Sequence, residues 1–223
     1  MRKFLRFIGI LFMSLTAAFT VLGGVGTTCV ALGAEKYESM AGIAPFKWLY
    51  LIYVIVTIAI GIMGIRAVTL LIKGRANAYR YSVIALVSGM VVGTIHMVTS
   101  RTLRGSSMPV DAVVYTTVLT FAIFLLFRIP GVWEKVDFSK AKQKDSETAG
   151  GAAMIVVGVL NLTIPYLMAP THTINGVNYG DAFKFTTTGA GWGLIVLGCG
   201  LILYAQVSGL PLLKSLRKET TEA

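Results

Sequence analysis

The chain has 223 residues, of which 55% are hydrophobic and 13% charged, with a mean hydropathy of +0.75 and a formal net charge of +10. A water-soluble domain carries about a quarter charged residues, so this composition excludes an ordinary soluble fold and makes a bilayer the natural solvent. The positive charge does not mark a nucleic-acid-binding chain, because the basic residues stand in short runs between apolar stretches, as loops on the cytoplasmic side of a membrane do.

At the start of the chain, Met1-Arg2-Lys3 and the apolar run behind them imitate a secretion signal. No small-x-small site ends the run, and Gly26-Thr27-Thr28-Cys29 is a poor lipoprotein box, so an uncleaved first helix is expected. A helix crossing a hydrocarbon layer of about 30 Å needs roughly 20 apolar residues. Six stretches fit or nearly fit: 4–32, 48–72, 81–100, 112–127, 151–169 and 188–207. Arg128 cuts the fourth short. The hydroxyls of Thr116, Thr117 and Thr120 are no obstacle there, since each can bond back to its own helix.

The expected fold is an all-α integral membrane protein with six transmembrane helices arranged as three helical hairpins. The hairpins cover 4–72, 81–128 and 151–210 of a single transmembrane domain spanning 1–223. Residues 129–150 form a cytoplasmic linker and residues 211–223 a cytoplasmic tail. With the N-terminus inside, fifteen of the 20 basic residues fall in inner segments, which places both termini on the cytoplasmic side of a cell membrane. The linker opens with Val132, Trp133, Val136 and Phe138, a pattern suited to a short amphipathic turn; its polar remainder reads as a solvated connector.

A faint pseudo-threefold internal repeat runs through the hairpins. Val25-Gly26-Thr27 recurs as Val92-Gly93-Thr94, and Gly89 through Thr94-Ile95 recurs as Gly158 through Thr163-Ile164. Asp111-Ala112 before Tyr115-Thr116-Thr117 recurs as Asp181-Ala182 before Phe185-Thr186-Thr187. Shared ancestry would set Thr27, Thr94 and Thr163 at one depth. A common membrane thickness, with aromatic residues at the headgroup level, produces similar spacing without ancestry.

Ionisable and amide groups inside such segments are the candidate functional residues. Arg66 lies seven residues before Lys73 on the second stretch, within reach of the headgroups by snorkelling or poised for a buried anionic partner. His96 and His172 both fall toward the outer face and are the weak candidates for a haem or other cofactor contact, with helix-end hydrogen bonding the blander role for His96. Asp111 and Asp181 begin the fourth and sixth helices as caps, or attract cations beside Arg101 and Arg104 at an outer vestibule. Asn161 and Gln206 are amides suited to bonding a neighbouring helix.

Gly89-x-x-x-Gly93 is a small-residue packing face. Cys29 and Cys199 fall at different depths, so no disulfide is expected, and no zinc spacing occurs. No nucleophile with a matched base appears, so no enzyme, metal or cofactor is expected. The expected partners are lipid and either other membrane subunits or further copies of the chain, not nucleic acid. The functional expectation is a non-catalytic subunit or scaffold of a membrane complex. The alternative is a small solute transporter, channel or solute-binding component; a haem- or quinone-contacting redox subunit comes third.

Overall fold

A computed structural model describes residues 2–36, 38–136, 138, 143–174, 176–178, 181 and 184–207. The chain divides into two compact units, Met1–Ala141 and Lys142–Ala223, and the boundary falls within the polar stretch after the fourth helix.

The first unit contains α1 (Arg2–Gly33), two 3-10 segments (Ala34–Lys36 and Glu38–Phe46), α2 (Lys47–Ile72), α3 (Ala78–Arg104), α4 (Val110–Leu126) and the single turn α5 (Trp133–Val136). Each of the four long helices packs on the next, and α4 returns to α1, which closes a ring of four. Tight turns enforce this neighbour order. At the end of α2, Gly74 takes φ 60°. Its N–H bonds the Leu71 carbonyl at 3.3 Å while the Arg75 N–H bonds that of Leu70 at 3.1 Å, the paired bonds of a Schellman stop. Gly105, with φ 70°, ends α3 through a single bond to the Arg101 carbonyl.

Small residues then let the axes approach. A Cβ placed on Gly61 would lie 2.6 Å from Val21 Cγ2, and one on Gly64 would lie 2.9 Å from the Ala17 Cβ. Threonines supply the polar contacts inside. Thr16 and Thr120 share a hydroxyl–hydroxyl bond of 2.7 Å between α1 and α4. Thr20, Thr27 and Thr117 each donate to a carbonyl one turn back on their own helix, so a buried hydroxyl costs little.

The second unit pairs α6 (Gln143–His172) with α7 (Lys184–Val207), joined through the short antiparallel strands β1 (Thr173–Ile174) and β2 (Val177–Asn178). Two glycines seven residues apart on each helix meet across the pair. A Cβ on Gly158 would lie 2.7 Å from the Gly191 carbonyl oxygen, and one on Gly151 would lie 2.6 Å from that of Gly198. Glycine at a seven-residue interval on each helix brings the two backbones into direct contact.

Among the described residues, five helices are long and apolar enough to cross a membrane: Phe4–Lys36, Met40–Ile72, Ala78–Arg104, Glu147–Tyr166 and Lys184–Val207, the first two including 3-10 turns. In each, at most 39% of the most apolar window is buried inside the protein. Phe185 is 92% exposed and Ile55 69%. Apolar surface on this scale is foreign to a monomer in water and natural in lipid. The shorter apolar helix α4 has 17 residues.

Two boundaries differ from the sequence reading. Helix α6 begins at Gln143, inside the stretch read as linker. That stretch also opens with packed structure: Val136 and Phe138 are each 2% exposed. The Phe138 ring stacks on Phe124 at 5.9 Å, and lies where a side chain on Gly9 would collide with it. Helix α5 packs on α1, its Trp133 meets Tyr79 of α3, and Phe138 behind it lies against Phe124 and Phe127 at the end of α4.

Candidate functional site

The polar interior of the first unit gathers near the α2 start and α3 end. Tyr50 and Tyr53 project from adjacent turns of α2 onto α3. His96 stacks on Tyr53 with centroids 4.3 Å apart and meets Tyr50 edge-on at 5.4 Å. The tyrosine hydroxyls continue past the imidazole to the next turn of α3. Tyr50 bonds Ser100 at 2.7 Å and Tyr53 bonds Thr99 at 3.0 Å. Tyr50 is 1%, His96 3% and Ser100 1% exposed, so this clasp between α2 and α3 is dry.

Below it, His96 forms one wall of a cavity lined also by Thr20, Thr27, Thr57, Gly89 and Gly93. Space open to the centre of a water molecule amounts to ≈ 20 Å³ there. That is room for about one water and for no larger solute. His96 lines this cavity and makes no hydrogen bond to a described residue. The hydroxyls of Thr20 and Thr27 donate to their own helix and keep acceptor capacity toward the same space.

Outside the clasp, the α3–α4 turn carries a second cluster. Arg101 donates to Ser107 Oγ at 2.8 Å and to the Tyr115 hydroxyl at 3.3 Å, and pairs with Asp111 at 3.2 Å. Ser107 completes the triangle by donating to Asp111. Arg104 donates to the Met108 carbonyl at 2.5 Å. Asp111 therefore does not cap α4 as the sequence suggested: Pro109 holds the N-cap position, with no side-chain cap bond. The carboxylate is drawn instead to Arg101, whose charge offers a stronger partner than a backbone amide.

The remaining candidates scatter. Thr27 lines the cavity, while Thr94 is exposed on α3, so the two do not share an environment. Thr163 bonds the Leu160 carbonyl of its own helix in the second unit. Asn161 donates to the Thr187 carbonyl at 2.8 Å and ties α6 to α7. Gln206 and Asp181 are exposed. Arg66 is exposed with its guanidinium 5.2 Å from the Tyr81 ring centroid. His172 closes α6, and its side chain lies outside the described residues. Cys29 and Cys199 are free thiols on exposed residues. Among the described residues no three His, Cys, Asp or Glu come together as a metal-ion set.

Sequence reasoning missed Tyr50, Tyr53 and Arg6. Nothing in the spacing of Tyr50 and Tyr53 ties the pair to His96 in the sequence. Arg6 read only as one more inner charge, yet it is 2% exposed and donates to the Leu71 carbonyl at 2.8 Å. No family model, curated protein or solved structure matches the chain.

Proposed function

We propose that this chain is a non-catalytic membrane protein that docks other membrane helices, as a subunit or scaffold of a larger assembly in the cell membrane. The reading has the chain crossing the bilayer six times as three hairpins, with both ends cytoplasmic. The observation that carries it is the double glycine face of α7. Gly191 and Gly198 are pressed against α6, whereas Gly189, Gly193 and Gly200 recur along another side of the same helix and meet no described residue within 4 Å. In lipid, helix association depends on close packing, and a small-xxx-small face is the surface that permits it.

Native electrophoresis of the protein extracted in mild detergent tests this. The expected result is migration well above the 23.9 kDa chain, collapsing to the single chain in Gly193→Leu. Wild-type protein that already migrates as a single chain would remove the proposal.

A further inference from the structure

The end of the first unit opposite the His96 clasp is strongly basic, and its cations pair with no described carboxylate. Arg66, Lys73, Arg75, Arg80 and Arg128 are all exposed, and none has an ion pair or hydrogen bond to a described residue. The sequence holds no Asp or Glu between Glu38 and Asp111, so the α2–α3 turn carries only cations. Glu134 lies beyond α4 and pairs with none of them.

An orientation signal needs charge alone, but two of these side chains are also held in place. The Arg66 guanidinium lies over Tyr81, and that of Arg128 lies 4.8 Å from the Trp133 ring and 5.3 Å from Tyr79. Stacking on a ring fixes the plane of the fork while leaving its N–H edges free for a phosphate oxygen. Arg66 sits about 10 Å along α2 from Lys73, inside the apolar span, where a lipid headgroup is the anion that can follow it.

We propose that this end of the first unit is a binding site for the phosphate headgroup of an anionic phospholipid, seated across the α2–α3 turn by Arg66, Lys73, Arg75 and Arg80. Arg128, held against the Tyr79 and Trp133 rings, flanks it. The site follows from the chain lying in a bilayer and is independent of whether α7 docks a partner.

The test is native mass spectrometry of the full chain in mild detergent with added phosphatidylglycerol or phosphatidylcholine. Wild-type protein should retain phosphatidylglycerol in clear preference, and the preference should fall as salt is raised. The combined variant Arg66→Gln, Arg75→Gln, Arg80→Gln should lose about tenfold or more of that binding. Lys36→Gln with Lys47→Gln, at the opposite end, should leave it unchanged. Circular dichroism and melting of each variant establish that the loss is not unfolding. Equal retention of both lipids, survival of the preference in the triple variant, or displacement of the lipid by an oligonucleotide would each overturn the site.

Discussion

Arg6 Nη2 lies 2.8 Å from the Leu71 carbonyl oxygen and 3.4 Å from that of Ile72, so a buried guanidinium near the start of α1 closes the C-terminal end of α2. The last carbonyls of a helix have no partner within it and carry the negative end of its dipole, which a cation complements. Replacing Arg6 by Met should destabilise the first unit by about 1–3 kcal/mol, the range for a charge-assisted bond partly offset by no longer burying a charge. Arg6→Lys should recover part of the loss. Unfolding in mixed micelles measures both, and an Arg6→Met protein as stable as wild type would show that the contact contributes nothing.

The Thr16–Thr120 bond gives a paired prediction. Thr16→Val or Thr120→Val alone removes the shared bond, at a cost of about 1–2 kcal/mol. The double variant removes both groups and should cost less than the two singles added together. Strict additivity would show that the hydroxyls do not interact.

Glycine substitutions on α7 should split by face. Gly198→Ala places a methyl 2.6 Å from the Gly151 carbonyl oxygen. The α6–α7 pair must separate, which should outweigh the ~1 kcal/mol helix-propensity gain from alanine. In the chain dissociated from any partner, Gly193→Ala meets no described residue within 4 Å and should keep that gain. Melting temperatures of the two variants should therefore move in opposite directions, and a shared direction would refute the close approach.

For His96, shape and polarity make separable contributions. His96→Ala removes the ring between Tyr50 and Tyr53 and should cost about 2–4 kcal/mol as a cavity. His96→Phe keeps a flat ring and gives up the ring nitrogens, and should stay within about 1 kcal/mol of wild type. A phenylalanine variant as unstable as the alanine one would mean that a hydrogen bond into the cavity, rather than stacking, holds the clasp.

The apolar helices were legible because span length is set by hydrocarbon thickness, and runs such as 48–72 hold a single charge, Arg66. Span ends were less legible. Gln143 to Gly150 is polar by composition, yet it continues α6, because helix propensity, unlike membrane insertion, tolerates Gln, Glu and Lys. The site was the least legible part. His96 stood out by type, but its partners Tyr50 and Tyr53 come from another helix and share no spacing with it. Arg6 was hidden for the same reason: its acceptors are backbone carbonyls more than sixty residues away, and every sequence supplies carbonyls.

The helices of the first unit differ greatly in length, and in a bilayer that difference acts on the lipid. At 1.5 Å per residue the 32 residues of α1 reach about 48 Å, and the 17 of α4 only about 26 Å. Under the six-span reading proposed above, lipid tails beside α4 would have to shorten or splay to cover it, and the protein would favour thinner bilayers.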